Sequence, residues 1–221
     1  MKAKRRWGSA GVWLLAAGLA SADISFQRVT WGNGGDPLGW YSRDAVGTVS
    51  SPGTGGNPDG FLQFAFVGAQ FPGLQSDALV TSAAGYVGDY TIGTGLSFNF
   101  LGSPSSAQAL YFQSAAGGGT IWTYTLSPAS SGWENYSVSF LSDAGWTRLS
   151  GSASFASALT QVSLIGITVT HLNDGSPVTY GLDNWEYLGS VPEPAAVWMV
   201  VAALGAGALL LRRQVWPKPK A

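Results

Sequence analysis

The chain has 221 residues, no cysteine and a single histidine, His171, which excludes disulfides, thiolate chemistry and cysteine–zinc sites and leaves imidazole-dependent triads little to work with. Its net charge of −1 hides an uneven distribution: residues 23–190 carry nine Asp and two Glu against Arg28, Arg43 and Arg148, a formal charge of −8. An acidic body lacks the cationic footprint that nucleic acid and anionic lipid require, although it suits divalent cations.

Lys2, Lys4, Arg5 and Arg6 precede an apolar stretch at 11–20, followed by Ser21-Ala22. A basic start, a short apolar middle and small residues shortly before a cut are what signal peptidase reads. Residues 1–22 are therefore expected to be a signal peptide, with Ala20 and Ala22 as the small residues and Asp23 as the new N-terminus. The apolar run is too short to span a bilayer comfortably.

From 23 to 189 the chain reads as one all-β domain. Short aromatic or β-branched segments recur at 24–31, 61–67, 95–101, 108–114, 120–126, 135–141, 161–170 and 178–188, punctuated by Gly, Pro, Ser or Asp. Within 95–101, Leu96, Phe98 and Phe100 alternate with Ser97 and Asn99, which assigns one face inward and one outward. Strands at hairpin spacing without crossover helices predict an antiparallel β-sandwich. The glycine clusters at 32–37, 50–60 and 115–120 are turns, since no helix follows to make them phosphate cradles.

Four stretches resemble, in order and spacing, the laminin type IV (laminin B) domain: GGNPDGFLQF (55–64), SAAGYVGDYTIGTGLSFNF (82–100), GWENYSVSFLSDAGW (132–146) and GLDNWEYL (181–188). The resemblance implies a jelly roll related to galactose-binding-like and carbohydrate-binding modules. In calcium-containing carbohydrate-binding jelly rolls, a carboxylate at a comparable place helps hold a structural ion. That makes Asp183 and Asn184, completed by Asp36, Asp59 and backbone carbonyls, the candidate ligands for calcium, which takes about six to eight oxygens. The simpler alternative is that Asp183 bonds a neighbouring turn and fixes a bulge, because inward parity changes between Leu182 and Trp185.

Ten tryptophans and eight tyrosines offer flat rings on which apolar sugar faces stack. Trp122 with Tyr124, and Trp185 with Tyr187, share faces by strand periodicity, and Trp31, Trp40 and Tyr41 are loop-side candidates. Core packing accounts for most such aromatics equally well. Asp143, Glu134 and Asp174 lack the setting of a glycosidase pair, and the first and last stand in the turn sequences SDAG and NDGS. No catalytic residue is assigned, and the domain is expected not to be an enzyme.

Val191-Pro192-Glu193-Pro194 precedes 17 apolar residues at 195–211 and then Arg212-Arg213. At ~1.5 Å per residue the run reaches about 26 Å, enough for a thin bilayer with the arginines on the cytoplasmic side. The prolines keep the motif extended and accessible. This tail, 190–221, resembles the PEP-CTERM sorting signal of Gram-negative bacteria, with 191–194 as motif, 195–211 as transmembrane helix and 212–221 as basic end. The resemblance implies exosortase, a membrane cysteine protease or transpeptidase, as a partner, and an association with exopolysaccharide. A plain single-pass anchor is an alternative.

The expectation is an exported protein whose precursor crosses the inner membrane once and whose mature domain lies at the cell surface or outside the cell. There it would be structural or adhesive within exopolysaccharide. A module recognising a specific glycan is the alternative, and nucleic acid is not an expected partner.

Overall fold

The computed structural model describes residues 24, 28–66, 73–103, 106–127 and 132–189. The expected signal peptide with its cleavage residues, and the tail from Ser190 onward, lie outside the described residues. In chain order the elements are β1 (Arg28–Val29), β2 (Trp40–Ser42), β3 (Thr48–Ser50), β4 (Leu62–Phe66), β5 (Gly73–Thr81), β6 (Gly93–Leu101) and β7 (Ala107–Ser114). Then come β8 (Thr120–Thr125), β9 (Trp133–Ser139), β10 (Trp146–Ser150), α1 (Phe155–Leu159), β11 (Val162–Asn173) and β12 (Val178–Gly189). One sheet runs β3-β4-β12-β6-β9, with β1 also on β12, and the other runs β10-β8-β7-β11-β5-β2. All these ladders are antiparallel, giving the antiparallel sandwich that the strand spacing predicts, of the jelly-roll kind that the resemblance implies.

Period-two alternation builds the core. Leu96, Phe98 and Phe100 of β6, Leu62, Phe64 and Phe66 of β4, and Leu110 and Phe112 of β7 are all buried in one cluster. Each large apolar side chain removed from water contributes roughly 1.5–3 kcal/mol. On β12, Tyr180 and Leu182 face inward and then Trp185 and Tyr187 do, so parity switches across a register shift between Asp183 and Glu186. The shift has a topological cause. Along one edge β12 pairs with β4 over Val178–Leu182 and with β1 at Trp185 and Glu186, and the bulge falls where the edge partner changes.

Five elements were not legible as local patterns. β2 and β3 have three residues each, too few for a periodicity. β5 opens with Gly, Leu, Gln, Ser and Asp, yet it is a strand because β11 pairs with it from Ile165↔Thr81 to Asn173↔Gly73. β10 has four exposed residues after Trp146 and exists as an edge partner of β8. α1 has five residues, capped by Ser154, whose Oγ accepts from Ser157 N at 3.3 Å, and it buries Phe155, Ala158 and Leu159 on one side.

Candidate functional site

Most of the candidate stacking rings are core. Trp31, Trp40, Trp122, Trp185 and Tyr187 are buried, and Tyr124 packs half-buried against the same cluster. Trp40 meets Trp31 edge-on at 6.2 Å and Trp185 edge-on at 5.0 Å, while Trp122 is covered by Phe155 at 5.3 Å and by the Arg148 guanidinium at 5.9 Å. Strand periodicity places Trp122 with Tyr124 and Trp185 with Tyr187 on shared faces, but those faces look into the sandwich. A ring between two sheets has no side free for a sugar, so these residues make no stacking platform. Tyr41 differs, with 42% of its surface exposed.

The candidate calcium ligands are largely committed to one another. Asp183 Oδ1 accepts from Asn184 N at 2.7 Å, and Oδ2 accepts from Asn57 N at 2.9 Å. Asn184, at φ +52°, donates through Nδ2 to Asn57 O, and its Oδ1 accepts from Arg28 through Nε at 3.2 Å and through Nη2. Asp36 turns to its own loop, accepting from Leu38 N at 2.7 Å. Among the described residues no three acidic or imidazole side chains gather as a metal group. Calcium needs about six to eight free oxygens. Here both carboxylate oxygens of Asp183 and the amide oxygen of Asn184 already accept protein hydrogens and a guanidinium stands among them, so Asp183 and Asn184 do not fit the ion. Burial raises the pKa of Asp183 and nearby Asp59 adds to that, whereas the two backbone N–H groups and Arg28 oppose it; the net shift is upward.

A second buried carboxylate organises a surface that sequence reasoning missed. Asp77, on β5, accepts from Ser42 Oγ at 2.5 Å and from the backbone N–H groups of Asp44, Val46, Gly47 and Ala78 at 2.9, 3.1, 3.0 and 2.6 Å. Burial alone would raise its pKa, but Ser42 and the backbone donors outweigh that, and it is lowered. These bonds fix the 43–47 crossover from β2 in one sheet to β3 in the other. A single Asp at the inward position two residues before Leu79 was the available signal.

That crossover holds Arg43 and Asp44 at the outer face of the second sheet. One row across this face follows the register Tyr41–Val80–Gly166–Tyr111–Thr123. Ala78, Val80 and Tyr111 form a small buried cluster of their own there, flanked by Ile121 and Leu164. Arg43 Nη1 donates to Tyr111 Oη at 2.7 Å, and Tyr111 donates to Gln113 Oε1 at 3.3 Å. Burial raises the Tyr111 pKa; Arg43 opposes this and Asp44 and Tyr41 reinforce it, which puts all four side chains in one electrostatic neighbourhood.

The remaining carboxylates are dispersed. Asp143 follows β9 near the end of the sandwich where Gly189 pairs with Gly93, whereas Asp174 sits in the β11–β12 turn at the opposite end of β12, accepting from Ser176 N at 2.9 Å. Glu134, on β9, accepts from Tyr136 Oη at 3.1 Å, and burial with that carboxylate pushes the Tyr136 pKa up to about 12.

No protein-family model and no curated protein matches this chain. Solved structures do. A family 11 carbohydrate-binding module from a cellulosomal cellulase of Clostridium thermocellum is similar at 17% identity, covering 76% of this chain and 97% of the module, with a TM-score of 0.45. An exo-β-agarase is similar at 14% identity over 76% of this chain and 26% of the agarase, with a TM-score of 0.51. The agarase AgWH50C is similar at 11% identity over 75% of this chain and 25% of its own, with a TM-score of 0.50. This chain thus corresponds to about a quarter of each agarase. At these identities the two agarase matches show a shared fold and nothing more.

Proposed function

We propose that the folded domain is a non-catalytic glycan-binding module carried by an exported protein. The observation that supports this best is the outer-face cluster of Tyr41, Arg43, Asp44, Tyr111 and Gln113. Tyr41 offers an exposed ring for the C–H face of a pyranose. Arg43, held over Tyr111, offers a planar fork of donors for neighbouring hydroxyls, and Asp44 and Gln113 supply acceptors. A cluster assembled on a rigid sheet loses little entropy when a ligand arrives.

The ligands bound by solved modules guide the panel to test, among them the β-1,3-1,4-mixed-linked tetrasaccharide bound by a family 11 module. The full chain, in detergent, is applied to a glycan array that includes this tetrasaccharide, agaro-oligosaccharides and polysaccharide from the producing cells. Saturable binding that weakens about tenfold in Tyr41→Ala and Arg43→Ala is expected. Binding to no glycan, or equal binding by both variants, overturns the reading.

The tail supports the rest of the proposal. Pro192-Glu193-Pro194, the apolar run and Arg212-Arg213 have the order of an exosortase signal, so the precursor is held in the inner membrane, processed near the motif and passed to the cell surface or its polymer. There a glycan-binding face displayed in many copies is structural and adhesive. Intact mass of the protein from membrane and extracellular fractions tests this. A species running from Asp23 to the region of Pro192–Pro194 is expected, and a membrane species retaining Ala221 overturns sorting by cleavage.

A further inference from the structure

A second feature lies at the other kind of surface, the end of the sandwich where β12 runs out beside β6. The β5–β6 connection, the segment after β9 and α1 with its cap enclose a cleft of about 430 Å³. Phe140 and Phe155, both buried in the core, close its base, Leu141 stands at its rim with 74% of its surface exposed, and Thr91 and Ser154 contribute hydroxyls. Asp143 is the only ionisable residue lining it. Among the described residues its carboxylate has no hydrogen-bond or ion-pair partner, while its backbone oxygen is used by Trp146 N.

The chemistry of this cleft is selective. An exposed aliphatic side chain, Leu141, beside a hydroxyl rim suits the C–H face and hydroxyls of a pyranose. A lone carboxylate there makes its strongest bonds to a charged donor, since charge-assisted hydrogen bonds are about twice as strong as neutral ones. No cationic side chain lines the cleft to satisfy Asp143 from within. All three arginines of residues 23–190 are engaged elsewhere: Arg28 on Asn184, Arg43 on Tyr111, and Arg148 on the carbonyls of Ser152 and Ala153. A domain of formal charge −8 repels uronates and draws in cationic ligands.

We propose that this cleft is a subsite for an amino sugar, a pyranose bearing a free ammonium group that pairs with Asp143 while its C–H face lies against the exposed side chain of Leu141. The proposal rests on the glycan-binding reading, and it adds a site and a substrate class distinct from the Tyr41 face.

Three tetrasaccharides with one β-1,4 backbone separate the possibilities: fully deacetylated glucosamine tetramer, its N-acetylated form and cellotetraose, which differ only in the group at carbon 2. Affinities for the full chain are measured by calorimetry at about pH 5.5 and 0.15 M salt. The glucosamine tetramer is expected to bind at least about tenfold tighter than either neutral tetramer. Asp143→Asn should abolish that preference. Asp174→Asn, which removes the same charge at the opposite end of the sandwich, should keep it. Equal losses in the two Asn variants would mean diffuse charge attraction and overturn the subsite, as would a preference that survives Asp143→Asn, or equally tight binding of tetralysine. Failure of all three tetramers also removes the subsite, while the array with the Tyr41 and Arg43 variants decides the glycan-binding reading separately.

Discussion

The guanidinium of Arg43 lies 5.3 Å over the ring of Tyr111 and donates to its hydroxyl at 2.7 Å. A flexible side chain on a crossover is thereby fixed against a strand of the sheet. Tyr111→Phe removes the hydroxyl that anchors Arg43 and meets Gln113 but leaves the ring in its cluster. The expected result is a stability change within about 1 kcal/mol and a several-fold weaker glycan affinity. Arg43→Lys should weaken binding nearly as much as Arg43→Ala, because an ammonium lacks the planar fork. Denaturant melts and calorimetry on the same preparations check both.

Asp77 makes the crossover pH-dependent in a defined direction. Its pKa is lowered below the ordinary 3.8, so its contribution is fully present above about pH 3.8 and is lost as pH falls through the folded value. Asp77→Asn keeps one acceptor oxygen against five donors and should cost about 2–3 kcal/mol at neutral pH. The gap between the native chain and the variant should close below about pH 3.8. Urea titrations from pH 7 to pH 2.5 measure it.

The Arg28–Asn184–Asp183 arrangement predicts indifference to calcium. A ligand bound only by the native state must raise Tm. Added calcium and added chelator are both expected to leave Tm unchanged, and a rise with calcium would contradict the saturated donor set. Asp183 has a raised pKa, so its charged form opposes folding. That penalty is absent below about pH 3.8 and appears as pH rises through the folded value. Arg28→Ala removes an influence that lowers this pKa, so carboxyl NMR titration should find Asp183 shifted further up.

Gly166 tests whether the outer face tolerates a side chain between Tyr41 and Tyr111. A Cβ there would lie 2.0 Å from Leu79 O and 2.7 Å from Val80 Cα, both backbone atoms of the adjacent strand. Gly166→Ala should therefore cost about 1–3 kcal/mol through displacement of β5 from β11, read as a lower Tm. Because β5 carries Asp77, the same variant should also weaken binding at the Tyr41 face.

The sequence alone carried the strand inventory well where strands are long and alternating. The segments at 95–101, 108–114 and 178–188 match β6, β7 and β12 within a few residues, and the parity change between Leu182 and Trp185 is the bulge at Asp183 and Asn184. β5 and β10 escaped because polar residues interrupt their pattern and only a partner strand makes them strands. Among the ligand candidates, Tyr41 is exposed but stands on β2 rather than in a loop, while Trp31, Trp40, Trp122 and Trp185 are buried.

What the sequence determined by itself is therefore local: an all-β antiparallel domain, its turns, its faces, and the composition of its two ends. Alternation separates the two faces of a strand because successive side chains point opposite ways. It cannot say which face a second sheet will cover. Only the tertiary structure decided that Trp185 is core, that Asp77 ties the crossover between sheets, that Arg28 reaches Asn184 from 156 positions away, and that Asp143 stands alone beside Phe140 and Phe155. Each of these depends on strands that meet only after the chain has folded back on itself, and no local window of sequence contains both partners.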